Sequence, residues 1–307
     1  MKAIILQLKT FVLAQKVLYW ALILFFCGAG TFVNYGWGLK AYLRSLQGPQ
    51  AFACYFTLYA LFTGVGYLLY SLINKDFSYW KKQGFPVLLF LSVTIFAFRS
   101  SFYGHAALIE RISPAEQAYI NRLVYGDLFR LSYLVIPVFI VWFVADRKVQ
   151  PLYGVSAQNH KWKVYLMLLL CMVPLIAFVS TQSDFLEYYP RLKKLTSQHA
   201  PFYKLLVYEL CYGLDYISIE LFFRGFMIMA FAKYVGINSV LPTACFYLSI
   251  HFGKPLGEAV SSFFGGTILG VISYHTRSIY GGVIIHIGIA WLMEAGGLIG
   301  NWVKSNP

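Results

Sequence analysis

Charge is what this sequence has least of. Only 12% of its 307 residues are Asp, Glu, Lys or Arg, about half the share of an average soluble domain, and that scarcity excludes an ordinary water-soluble globule. There is no GxGxxG or P-loop glycine pattern, so neither a dinucleotide nor a nucleotide cradle is signalled. The chain also has no low-complexity tract and no internal repeat, and with them goes the inverted-repeat signature of many transporters. Cysteines number five (Cys27, Cys54, Cys171, Cys211, Cys245), none in CxxC spacing and all inside apolar runs, where they read as small core residues.

Apolar length is abundant instead, at 59% hydrophobic residues. Crossing a hydrocarbon core takes about 20 apolar residues. Candidate runs lie at 17–36, 51–73, 86–108, 128–145, 163–181, 205–232, 239–252, 257–274 and 280–298. The expectation is an all-α, polytopic transmembrane helical bundle of eight or nine spans, an integral, multi-pass protein of a bacterial-type cell membrane. Arg99 interrupts the third run, and 239–252 is short enough for a half-helix. Residues 1–16 carry only lysines as charge and lead into an apolar run with no small-residue cleavage site, which reads as an uncleaved first span.

The net charge of +13 raises the question of nucleic acid. Its carriers are spread through short loops (Lys75, Lys81, Lys82, Arg147, Lys148, Lys161, Lys163), and contact with membrane lipid headgroups accounts for them without nucleic acid. The distribution of Lys and Arg among these loops places the N-terminus on the cytoplasmic side.

Texture divides the chain near residue 182. Residues 1–181 read as N-terminal scaffold helices, rich in Leu, Phe and Tyr and nearly free of interior charge. Residues 182–307 differ. The stretch SDFLEYYPRLKKLTSQHA suits an interfacial segment or a polar connection, and the runs beyond it hold Glu209, Asp215, Glu220, Arg224, His251, His286 and Glu294. An ionisable group at mid-bilayer costs about 2.5–3.5 kcal/mol on insertion scales, so such residues face a bundle interior or a wet cavity. Gly265, Gly266 and Gly270, in SFFGGTILG on the run 257–274, read as close helix packing.

Glu220 and Arg224 stand four apart with the acid first, the favourable order on a helix. A self-neutralising pair explains those two residues alone. Two histidines on separate runs with a carboxylate on a third make up the minimal kit for activating a water.

ELFFRG, then YLSIH, then HIGIA, in that order on separate runs, resembles the CAAX-protease and bacteriocin-processing family, the type II CAAX prenyl endopeptidases and their bacterial relatives. That family's pattern reads EExxxR, FxxxH and HxxxN or HxxxD. The resemblance covers about residues 200–300 and implies a CAAX-protease-like core over 182–307 that cleaves a membrane-associated peptide or protein with His/Glu-activated water. It assigns catalytic roles to Glu220, His251 and His286, and supporting roles to Arg224 and to Tyr247 at the aromatic position. The resemblance also raises a divalent metal such as zinc as cofactor, for which His251 and His286 are the only ligands on offer.

The match has two gaps. Ile219 occupies the place of the first glutamate, and Ala290 that of the Asn or Asp. An oxyanion donor is worth about 2.7–4 kcal/mol, so an inactive relative acting as a membrane binding or scaffold protein is the competing expectation. Asp215 lies four residues before Ile219 and Glu294 four after Ala290. On antiparallel helices both acids would be displaced about 5–6 Å to the same side, making a polar site shifted by one turn.

Overall fold

The computed structural model describes residues 2–114, 117–156, 162–191 and 201–306. Among these residues the fold is all helix, with no strand. Seven helices are long and apolar enough to cross a membrane: Val17–Trp37, Gly48–Asn74, Gly84–Ile112, Ala118–Asp146, Trp162–Val179, Leu256–Thr276 and Tyr280–Ser305. The remaining two candidate runs differ in kind. Residues 205–232 fall on Phe202–Glu220 and on Leu221–Ala230, whose backbone is π-helical, and 239–252 falls on the 11-residue helix Val240–Ile250. At 1.5 Å per residue that last helix is about 16 Å long, roughly half a hydrocarbon core.

The chain forms two compact units, each drawn from separate stretches of sequence. The first comprises Met1–Phe102, Tyr133–Asn159 and Leu221–Ile279. Val240–Ile250 is its centre: every residue from Val240 to Ser249 is buried, as befits a helix apolar all round. It packs against Gly48–Asn74, Leu256–Thr276, Val17–Trp37 and Leu221–Ala230. Aromatic rings fill the joints, with Phe246 against Tyr59, Phe96, Phe222 and Phe223. Gly266 and Gly270 allow the close approach expected of them. Side chains there would press on Tyr247 at 3.1 Å and on Ile228 and Val240 at 2.9 and 3.0 Å, whereas Gly265 meets nothing within 4 Å.

The second unit comprises Tyr103–Ser132, His160–Glu220 and Tyr280–Pro307. Its long helix Tyr280–Ser305 packs against Trp162–Val179, Phe202–Glu220 and the short helix Ser183–Tyr188. That short helix is the described part of the segment read as interfacial. Residues 192–200, and the loop residues 157–161 with Lys161, lie outside the described residues.

Two expectations change. Interior charge is not confined to the C-terminal third, because Asp127 is 2% exposed and bonded to Arg130, and Asp146 is 1% exposed. Asp146 accepts from Tyr153 and from Lys233 Nζ, each at 2.7 Å. A buried acid is tolerated when such donors satisfy it, which is why hydropathy alone did not register these two. The cysteines also divide: Cys27 and Cys245 are buried with sulfurs 3.7 Å apart, whereas Cys171 is exposed on its helix.

Candidate active site

Glu220 closes the helix Phe202–Glu220 and is fully buried. Its Oε1 lies 2.9 Å from Nδ1 of His286, on Tyr280–Ser305. The two helices are antiparallel: Glu220 lies beside Gly282 and His286, Gly213 beside Ile287 and Trp291, and the Glu209 carbonyl accepts from the Trp291 indole at 3.4 Å. Numbers fall on one helix as they rise on the other.

Gly282 is what lets the carboxylate in, because a Cβ there would overlap it. The His286 ring is flanked by Tyr216, 4.3 Å away between centroids, and Tyr216 in turn donates to the Tyr212 hydroxyl. Tyr208, Tyr212, Tyr216 and Glu220 recur every four residues, so they share one helix face that leads up to the Glu220–His286 pair. With the carboxylate on Nδ1, that nitrogen carries the proton and Nε2 is left as the acceptor. A carboxylate-oriented imidazole of this kind takes a proton from water and returns it to a leaving group.

His251 belongs to the first unit, at the end of Val240–Ile250, with Nδ1 2.8 Å from the Tyr247 carbonyl. Tyr247 does more than occupy the family's aromatic position. One face region meets His251 at 4.5 Å, and the Arg224 guanidinium lies 4.2 Å from the ring centroid. Arg224, 1% exposed, is the largest fully buried side chain among the described residues. The π-helical register of its segment bonds each residue to the fifth along, so the spacing of four read from the sequence is less than a turn there. Gly225, next to it, sits against the Tyr153 carbonyl, where a Cβ would come within 2.6 Å.

The displaced acids lie on the same side of the Glu220–His286 pair, as antiparallel helices require, but at different heights. Asp215 shares Oδ1 and its own carbonyl with the Ser218 hydroxyl, at 3.2 and 2.7 Å. Glu294, 4% exposed, spends both oxygens on the Arg191 backbone N–H, at 3.1 and 3.0 Å. It lies level with Glu209, six residues from Asp215, an offset of about 9 Å along the axis. Arg191 places its guanidinium 4.7 Å over the Tyr212 ring.

Ile219 is 6% exposed, and Ala290 packs with Ile120, Tyr208 and Tyr212. Neither position holds a polar group. Among the described residues no three His, Cys, Asp or Glu side chains come together as metal ligands. The donors among the described residues do not make the three-ligand set of a catalytic zinc site.

Gly282, Tyr216 and Arg191 were not singled out by the sequence. The four-residue recurrence of Tyr208, Tyr212, Tyr216 and Glu220 was the available signal for Tyr216. Nothing local marks Gly282 among 25 glycines.

No curated protein and no solved structure matches the chain. Residues 202–292 match a family model described as type II CAAX prenyl endopeptidase Rce1-like, a range that takes in Glu220, Arg224, Tyr247, His251 and His286. The protein is a multi-helix membrane protein whose C-terminal part, over residues 202–292, is similar to the Rce1-like domain of type II CAAX prenyl endopeptidases.

Proposed function

We propose that the protein is an intramembrane endopeptidase of the Rce1-like type, hydrolysing a peptide bond in a membrane-associated peptide or protein. The observation that carries this reading is the contact at 2.9 Å between the buried Glu220 and the half-buried His286 inside the matched segment. Nδ1–H of His286 donates to Glu220, and Nε2 takes a proton from water as the water oxygen attacks the scissile carbonyl. Glu220 stabilises the imidazolium so formed, which then gives its proton to the departing amine. His251 donates Nδ1–H to the Tyr247 carbonyl, which leaves Nε2 an acceptor, and it enters this reading through its place in the matched segment. Asp215 and Glu294 support the helices on either side; Glu294 does so by holding Arg191.

Ile219 and Ala290 favour a second reading, a relative that keeps the fold and binds a membrane-associated partner without cleaving it. The experiment is hydrolysis of quenched peptides, prenylated and unprenylated, by the full chain in lipid nanodiscs, beside Glu220→Gln, His286→Ala and His251→Ala. Cleavage lost in His286→Ala and strongly reduced in the other two supports the peptidase. Peptides that bind the wild type and leave intact support the binding protein.

A further inference from the structure

The first 75 residues contain no aspartate or glutamate; the first acidic side chain is Asp76. Six basic residues share that stretch: Lys2, Lys9, Lys16, Lys40, Arg44 and Lys75. Two of them converge. Lys40 and Arg44 are one turn apart on the short helix Leu39–Ser45, and both lie against Gly253, in the turn that follows His251. A Cβ at 253 would touch Lys40 Cγ at 3.3 Å and overlap the Arg44 guanidinium.

The surroundings are built rather than loose. The Lys40 ammonium sits 4.6 Å from the ring centroid of Tyr55, itself 2% exposed. Asn34 Nδ2 donates to the Phe252 carbonyl at 2.8 Å, and the Tyr35 hydroxyl to that of Lys254 at 2.7 Å, tying the turn to the end of the first span. Lys254 is neutralised by Glu258 at 2.9 Å, but among the described residues no carboxylate pairs with Lys40 or Arg44. Burial, then the Arg44 charge, pushes the Lys40 pKa down to about 7. An ammonium and a guanidinium held together without a counter-ion favour an anion between them.

Depth narrows the anion. Trp37, Tyr42 and Tyr35 are 76%, 58% and 38% exposed around the connection between Val17–Trp37 and Gly48–Asn74. Exposed tyrosine and tryptophan at the end of a span mark the headgroup level. There, a guanidinium donates bidentately to phosphate oxygens and an ammonium adds a point charge.

We propose that Lys40 and Arg44, set against the turn after His251, form a binding site for the phosphate of an anionic phospholipid headgroup. Bound there, the lipid braces that turn against the end of the first span.

The test uses the full chain in phosphatidylcholine nanodiscs, with and without 10 mol% phosphatidylglycerol, reading Tm and lipid retention by native mass spectrometry. The expected result is a higher Tm and retained phosphatidylglycerol for the wild type and for Arg44→Lys. Arg44→Gln and the double variant Lys40→Gln/Arg44→Gln should lose more than half of the shift, while Lys2→Gln/Lys9→Gln keeps it. Arg44 is exposed, so the single Arg44→Gln remains decisive even where the double variant does not fold. An unchanged shift in Arg44→Gln overturns the site. Inorganic phosphate giving the same shift in pure phosphatidylcholine overturns the headgroup assignment in favour of a soluble phosphate.

Discussion

Glu220 and His286 are 66 residues apart in sequence and 2.9 Å apart at Oε1 and Nδ1, across two antiparallel helices, and both residues lie in the segment that the Rce1-like family model matches. A general base oriented in this way contributes about 10²–10⁴-fold to a rate. Glu220→Gln keeps an acceptor for Nδ1–H yet cannot stabilise the imidazolium. The expected outcome is a fall in kcat within that range at nearly unchanged KM, with His286→Ala at least as low. A Glu220→Gln enzyme as fast as wild type would remove the carboxylate from the mechanism.

Gly282 gives a sharper test of position. Alanine there drives a methyl into the Glu220 carboxylate, and overpacking of this kind costs about 1–3 kcal/mol. Gly282→Ala should lower both Tm and kcat, whereas Gly265→Ala, where a Cβ meets nothing within 4 Å, should change neither.

Glu294 separates support from chemistry. Its two oxygens accept the Arg191 N–H, and Glu294→Ala leaves that donor with no carboxylate, at about 1–3 kcal/mol. Thermal unfolding should register the loss, while the pH–rate profile of the folded fraction keeps its shape. A displaced pH profile would instead make Glu294 the acid of a shifted site.

Lys40 makes stability depend on pH in a direction that can be worked out. Its pKa falls from 10.5 to about 7 on folding, so between those values the unfolded chain binds more protons and stability rises with pH. Arg44 on its own helix and Tyr55, whose ring lies 4.6 Å from the ammonium, are the groups that face it. Denaturation of lipid-free protein at pH 6.5 and 9 should show that rise, and Lys40→Met should flatten it. Binding of the anionic lipid favours the charged ammonium, so it weakens over the same window.

A metal enters the same assays as a separate arm. With two histidines and no three-ligand cluster among the described residues, activity should survive 1,10-phenanthroline within about twofold, the spread of routine assays, against the more than tenfold loss expected when a catalytic zinc is stripped. Abolished activity restored by added zinc would return His251 and His286 to the role of ligands.

Much of the fold could be read ahead of the structure because transfer into a bilayer is a local property. Seven of the expected spans are helices of sufficient length and hydropathy, and the short run ending in His251 is indeed too short to cross. Buried charge escaped that reading. Asp127 with Arg130, and Asp146 with Tyr153 and Lys233, look from hydropathy like ordinary ends and interruptions, since neutralisation happens between helices.

What the sequence by itself determined is a helical membrane protein whose polar residues stand in the order of the CAAX-protease pattern, with Ile219 and Ala290 as its two departures. Composition and spacing settle those points, because the hydrophobic cost of each residue and the order of motifs do not depend on neighbours distant in the chain. Tertiary structure alone decided that His286 takes Glu220 as its partner, that Glu294 goes to Arg191, and that Tyr247 meets Arg224. Each of these depends on the register of packed helices, set by where small residues such as Gly282 allow close approach.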